Sequence, residues 1–446
     1  MEIRIPPQAA EVLKRLAQNG FEAYAVGGCV RDSLLGLVPK DWDVTTSALP
    51  EQTEQALAEF PVLETGLKHG TVTVLSGGMP IEVTTYRMDG AYSDNRHPDK
   101  VTFTRSLSED LARRDFTINA MACGLSGKII DRFDGRADLE RKSIRCVGSP
   151  DTRFREDALR ILRALRFASV LGFELEQETA RAARENRALL AGISPERCAG
   201  ELSLLLCGKN APAVLRTHWE VIGALIPELR AESSLPQDDS VPCRGWESTV
   251  RAVGEAEADP VPRLVMLLHK IGNSSCGAAV KNRAGLSECD AEKSARLAEH
   301  VLKRLKFNGK TVRTAVLLIR CQNLPLSGDE RLVRRRLNQL GEQNFRLLLN
   351  VRAADIRAQS LEAQDQLQTV SAAADALERI LAQGQCFSLK DLAVNGSDLL
   401  DSGIPRGPEI GRTLHRLLEA VMDGKCPNVR EALLRLAAEK EEKTPK

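Results

Sequence analysis

Strand-forming runs are confined to the first 145 or so residues of this chain, and that asymmetry limits its fold more than any other feature. There, β-rich segments such as TVTVLSGG and IEVTTYR, joined by a Gly77-Gly78-Met79-Pro80 turn, alternate with helical ones, including an expected helix over Pro50 to Phe60. From Ser149 to Lys446 helical periodicity dominates, interrupted by Pro/Gly/Ser-rich stretches near 232–245, 272–286 and 323–329. A chain of 446 residues exceeds one ordinary core, so two to four domains are expected. The pattern predicts an α+β protein: a head with a small mixed sheet, then an all-α remainder.

No run of about eighteen apolar residues occurs, and the N-terminal stretch MEIRIPPQAAEVLKRLAQNG is charged and amphipathic, unlike a signal peptide. A soluble, cytoplasmic protein without a membrane partner is expected. The 11 cysteines form no CxxC pair, and Cys29, Cys123 and Cys146 sit in apolar contexts, which predicts buried thiols rather than zinc ligands or disulfides. Net charge is only +1, but arginines cluster at 153–167 and 331–337. Aromatic residues make up 4% of the chain, too few for an extended base-stacking platform.

Residues 27–43, GGCVRDSLLGLVPKDWD, carry the strongest chemical signal. A strand over Glu22 to Val26 runs into Gly27 and Gly28, where missing side chains let backbone N–H groups approach a phosphate, and Arg31 lies one turn on. Asp41 and Asp43 are one residue apart, so in a strand both point to one face. Two such charges repel unless a cation sits between them, and Mg²⁺ takes carboxylates of this kind together with substrate phosphates. Glu82 lies on a β-type run whose alternation puts Glu82, Thr84 and Tyr86 on one face, and it is a candidate third carboxylate. In RSLSEDLARRDFTINAMAC (105–123), Ser108 reads as a helix N-cap. Arg113, Arg114 and Asp115 follow, ahead of an apolar helix expected near Thr117, and offer donors and acceptors to a nucleotide, with Asn119 as a further candidate. In the helical run 153–173, Ala158, Ile161, Leu162, Leu165 and Ala168 form an apolar stripe. The stripe leaves Asp157 and Arg160 together on another face, free for a ligand or an i, i+3 ion pair.

The strings GGxVRDxLLGxxPxDxD, EVTT, EDLxRRDFTINAMA and EDxxRxLRAxRFA resemble motifs of the class II tRNA nucleotidyltransferase and bacterial poly(A) polymerase family, a branch of the polymerase-beta-type nucleotidyltransferases. The resemblance implies a polymerase-beta-type head in which Asp41 and Asp43 bind Mg²⁺, Glu82 supplies a third acid, and Gly27, Gly28 and Arg31 cradle phosphates. It further implies that Arg113, Arg114 and Asp115 contact sugar and triphosphate and that Asp157 and Arg160 select the base, with Glu156 in support. The polar loop 87–103, the hinge-like DRFDGRADL (131–139) and SPERCAGELSLLL (194–206) match further family segments, the last with Glu196 and Arg197 in a stabilising role.

RLVMLLHKIG (263–272) resembles the HD phosphohydrolase pattern of some relatives, but Lys270 stands where that pattern has Asp, so His269 is expected to be a packed residue without a functional metal. The stretch from Val394, with Leu414, Leu417, Leu418 and Val421 as an amphipathic helix, resembles the C-terminal segment of bacterial members. Its turns at Asn395-Gly396 and Gly407-Pro408 are candidates for RNA phosphate contacts. The expected layout is a catalytic head at 1–146, a neck at 147–208, a body at 209–325 and a tRNA-binding tail at 326–446. The expected activity is template-independent addition of CCA to tRNA from CTP and ATP. Addition of A alone, addition of CC alone, poly(A) synthesis, and a non-catalytic RNA-binding protein with this fold are the alternatives. Oligomeric state is not legible.

Overall fold

Val72 and Val74 are buried between the more open Thr71, Thr73 and Leu75, the alternation of a strand with one face on a core. The structure, a computed structural model, describes residues 3–66, 70–90, 101–231, 244–272, 288–359 and 364–439. Most of the polar loop and of two of the Pro/Gly/Ser-rich stretches, together with the final residues, lie outside that range. The chain divides into two compact units, Met1–Pro227 with Arg304–Lys306, and Glu228–Lys303 with Phe307–Lys446.

The first unit opens with α1 (Pro7–Gln18), β1 (Ala23–Val26), α2 (Gly28–Leu34), β2 (Trp42–Thr46), α3 (Pro50–Ala56), β3 (Val62–Gly66), β4 (Thr71–Ser76) and β5 (Met79–Thr85). Then follow β6 (Arg87–Asp89), β7 (Val101–Phe103), α4 (Leu107–Ala112), β8 (Met121–Cys123), β9 (Ile129–Asp131) and α5 (Gly135–Glu140). Seven strands form one mixed sheet in the order β3-β4-β5-β2-β1-β8-β9. Its pairs are antiparallel except β2 with β5, which run parallel and set Asp43 opposite Glu82. β6 and β7 pair separately at the base of the polar loop. Helix α1 buries Ala9, Val12, Leu13 and Leu16, one stripe at helical spacing.

Beyond β10 (Ser143–Ile144) come α6 (Pro150–Glu156), α7 (Leu159–Leu171), β11 (Glu174–Leu175), α8 (Gln177–Glu185), α9 (Pro195–Leu206), α10 (Ala211–Thr217) and α11 (Trp219–Leu225). The stripe Ala158, Ile161, Leu162, Leu165 and Ala168 is buried as expected. In the second unit every described element is helical, from Glu228–Ala231 to Arg430–Ala438. Leu417 and Leu418 are buried on the helix Pro408–Met422, with Leu414 and Val421 packed beside them.

Local expectations fail where a side chain bonds out of pattern. The helix from Pro50 stops at Ala56. Ser106, not Ser108, caps α4 by accepting from the Glu109 N–H. The helix expected near Thr117 is a single 3-10 turn, Thr117–Asn119, before β8. Tyr86 leaves the exposed face of β5 and is fully buried, because its N–H turns to the Thr46 carbonyl beyond the strand end. The run 153–173 is two helices, broken at Asp157, whose backbone is extended and whose carboxylate accepts from the Leu159 N–H.

Candidate active site

Gly27 follows β1 with φ +82, a conformation that favours glycine, and a Cβ there would lie 3.2 Å from Arg114 Nη1. A Cβ on Gly28 would lie 3.6 Å from Arg31 Nη2. The glycine pair therefore lets two guanidiniums press against the start of α2. Beside them, Asp41 enters β2, Trp42 turns into the core and Asp43 emerges half-buried, opposite exposed Glu82. Burial pushes the Asp43 carboxyl up to about 6, and the negative charges of Asp41 and Glu82 add to that, with Arg114 opposing. Among the described residues no three acidic, histidine or cysteine side chains close into a ready metal-ligand set. Strand pairing thus brings the three predicted carboxylates together without cross-linking them.

Arg31 bonds Asp32 at 2.8 Å and donates to Asn119 Oδ1 at 2.7 Å. Asn119 in turn donates to Asp115 Oδ1 at 3.1 Å, and Arg163 grips Asp115 Oδ2 through Nε and Nη2 at 2.9 and 2.7 Å. Burial raises the Asp115 carboxyl, but Arg163 and the Asn119 hydrogen bond outweigh it and hold it at about 2. Asp115 is an anchor for the neighbouring donors, not an open ligand. Arg113 and Arg114 are likewise anchored, both on Asp110. The guanidiniums of Arg31, Arg163 and Arg166 lie 4.9, 5.5 and 4.0 Å from the centre of the Phe167 ring, within cation–π reach.

The break at Asp157 separates it from the helix face expected to carry Arg160. No Asp157–Arg160 pair forms: Asp157 Oδ2 accepts from Arg197 at 2.8 Å, while Arg160 bonds Glu156 at 2.6 Å and donates to the Arg113 carbonyl at 3.3 Å. Arg160 and Arg153 both reach that carbonyl, tying the arginine pair to α6 and α7. Glu156 holds Arg153 and Arg160, the supporting part expected of it. Glu196 instead meets Lys306 at 2.8 Å. Asp131 accepts from the Phe133, Gly135 and Arg136 N–H groups, closing the hinge-like turn ahead of α5.

Three family models match the chain: "Poly A polymerase head domain" over 23–145, "Probable RNA and SrmB- binding site of polymerase A" over 172–231, and tRNA nucleotidyltransferase domain 2 over 289–437. A CCA-adding enzyme of Lacticaseibacillus paracasei is 36% identical over 436 residues, 97% of this chain and 96% of that protein. The chain belongs to the CCA-adding enzyme family. Another member, from Geobacillus thermodenitrificans, is 36% identical over 96% of both chains. The crystal structure of the Bacillus stearothermophilus CCA-adding enzyme in complex with CTP superposes with TM-score 0.70 at 32% identity, covering 97% of each chain. A Thermotoga maritima CCA-adding enzyme complexed with tRNA, 22% identical, shares the fold with TM-score 0.62 over 97% of this chain and 96% of that one. The resemblance read from the head motifs thus extends over nearly the whole chain, a polymerase-beta-type head followed in sequence by a helical remainder. Nucleotidyltransferases of this kind generally use divalent metal ions.

Sequence reasoning missed Asp110, Arg163 and Arg166, and gave Arg197 a stabilising role without its partner Asp157. Arg163 and Arg166 stood inside the matched string LRILRALRFA, and the recurrence of arginine every three residues from Arg160 was the available signal. Asp110 had a local sign in Arg113 and Arg114, three and four residues on, but Thr45 and Arg87 come from other elements, as does Arg197's partner Asp157.

Proposed function

We propose that this chain, a tRNA nucleotidyltransferase, transfers CMP, CMP and AMP in turn from CTP and ATP to the 3′ end of tRNA, releasing pyrophosphate at each step. The observation that carries this reading is the parallel β2–β5 register, which masses Asp41, Asp43 and Glu82 with Arg114 acting against them at Asp43. Such uncompensated charge suits Mg²⁺, which keeps several waters and binds through one or two carboxylates plus substrate phosphates, so the lack of a closed three-ligand set fits it. Asp41 and Asp43 would hold Mg²⁺, which supplies charge that lowers the pKa of the attacking hydroxyl and offsets the leaving pyrophosphate.

The chain's own residues do the rest. Glu82 completes the acidic wall. Gly27 and Gly28 leave room for the phosphates, and Arg31, Arg113, Arg114, Arg163 and Arg166 supply the positive charge that holds them. Asp115 and Asn119 fix Arg31 and Arg163 in place. The 3′-hydroxyl attacks the α-phosphorus, a P–O bond to the RNA forms, and the bond to pyrophosphate breaks.

Base choice falls to Asp157 and Arg160. A carboxylate accepts from the exocyclic amino group of C or A, and a guanidinium donates to a ring nitrogen or the cytosine O2. Guanine and uracil present an acceptor to the carboxylate instead, and an unpaired or repulsive polar contact is an effective means of rejection. Asp157 can accept because Arg197 and the Leu159 N–H fix it while leaving lone pairs over. Cys29, Cys123 and Cys146 are buried free thiols.

Incubation with tRNA lacking its CCA end, each nucleotide supplied singly and together and products sized at single-nucleotide resolution, tests the reading. CTP alone should add two residues, and ATP should add one only after them. Asp41→Ala with Asp43→Ala should abolish addition while tRNA affinity persists. Any product other than CCA overturns the assignment.

A further inference from the structure

Asp110 has no part in the scheme above, yet it is fully buried and its carboxylate gathers four groups. Oδ1 accepts from Arg113 Nε and Nη2 at 3.0 and 2.8 Å and from the Arg87 N–H at 3.4 Å. Oδ2 accepts from Arg114 Nη2 at 3.3 Å and from the Thr45 hydroxyl at 3.0 Å. Thr45 lies two residues beyond Asp43, on the same face of β2. One carboxylate therefore ties the strand that bears the acidic pair to the start of β6 and to both arginines at the end of α4. A buried charge is costly unless paired, and Asp110 is paired on both oxygens.

Arg114 is held lightly by comparison. Its one hydrogen bond to Asp110 is 3.3 Å long, and its Nε is buried with no acceptor. Its Nη1 lies against Gly27, and it acts electrostatically on Asp43. With the Asp110 charge gone, Arg114 still acts on Asp43, whose own neighbours are Asp41 and Glu82. A guanidinium fork fits a carboxylate through two parallel bonds and would cover the oxygens a hard cation needs.

We propose that Asp110 is a positioning residue that draws Arg114 away from Asp41 and Asp43 and so keeps the acidic pair open to a divalent cation. The proposal rests on the reading of that pair as the metal site. It makes Arg114 a switchable competitor: anchored, it faces the phosphates, and released, it fills the cation's place.

The test is Mn²⁺ binding to the metal-free full-length chain, followed by electron paramagnetic resonance with neither nucleotide nor RNA present. Asp110→Asn should weaken Mn²⁺ by about tenfold or more, the scale seen when groups that orient metal ligands are removed. Adding Arg114→Gln to Asp110→Asn should bring the affinity back to within about threefold of the parent, a rescue that general structural damage does not allow. Unchanged affinity in Asp110→Asn, or a double variant as weak as the single one, overturns the proposal. Should Asp110→Asn fail to melt cooperatively, Arg114→Gln alone decides. An arginine already held aside predicts tightening of about threefold at most, and tightening of about tenfold shows that it competes in the parent and refutes the proposal. A parent chain that binds no Mn²⁺ sinks the reading of the acidic pair, and the proposal with it, an outcome distinct from all of these.

Discussion

Asp115 is saturated on both oxygens: the Phe116 N–H and the Asn119 amide meet Oδ1, and both prongs of Arg163 meet Oδ2. Its folded pKa of about 2 lies below the value near 3.9 of an unfolded aspartate, so the unfolded chain binds the proton more readily. The stabilisation is fully present above about pH 4 and is lost as pH falls through 2, a contribution of about 2 kcal/mol from a shift of this size. Asp115→Asn should remove about 2–3 kcal/mol, since Arg163 would lose its bidentate partner and keep the longer contact to Glu201, at 3.7 Å. Urea unfolding of both proteins at pH 7 and near pH 2.5 checks this, because the gap between them should narrow in acid. A gap independent of pH rules out the ion pair as its cause.

Helices α7 and α9 show what the sequence discloses at the level of elements and what it withholds. The stripe from Ala158 to Ala168 announced α7 and its buried face, because helical spacing is a local property. The break at Asp157 was invisible: its cause is Arg197, forty positions away, together with the Leu159 N–H. The acidic pair was legible for the same local reason, while its alignment with Glu82 needed the parallel β2–β5 register, which no local pattern encodes. Close packing of the two helices depends on a glycine just past α9. A Cβ on Gly208 would lie 2.1 Å from Ser169 Oγ and 2.6 Å from the Ser169 backbone carbon, and Ser169 already donates to the Leu205 carbonyl at 2.6 Å. Gly208→Ala should therefore force α7 and α9 apart and cost about 1–3 kcal/mol in thermal unfolding. Because Arg160 rides on α7, kcat/KM for CTP should fall as well. A variant that melts with the parent and keeps its kcat/KM shows that the interface yields without strain.

Over the whole molecule, two units with separate cores predict unfolding that no single transition describes. Among the described residues no helix is long and apolar enough to cross a membrane. In the second unit the departure from the HD pattern takes on a structural meaning. His269 is fully buried with Nδ1 2.7 Å from the Met266 carbonyl and Nε2 3.1 Å from Asp355, while the Lys270 ammonium sits 2.7 Å from the same carboxylate. Burial raises the Asp355 carboxyl, but its interactions with His269 and Lys270 hold it well below the usual range. Lysine thus supplies the positive charge that this buried carboxylate needs, and the ammonium itself has no lone pair to offer a metal. Lys270→Met leaves Asp355 facing a histidine whose burial favours its neutral form, and should cost the second unit about 3 kcal/mol. Hydrogen exchange read peptide by peptide should show lost protection in 260–268 and 342–359 with Met1–Pro227 unchanged, and combining Lys270→Met with Asp115→Asn should give additive losses in separate units. Loss of protection in the first unit from the lysine change alone would mean that the two cores unfold as one.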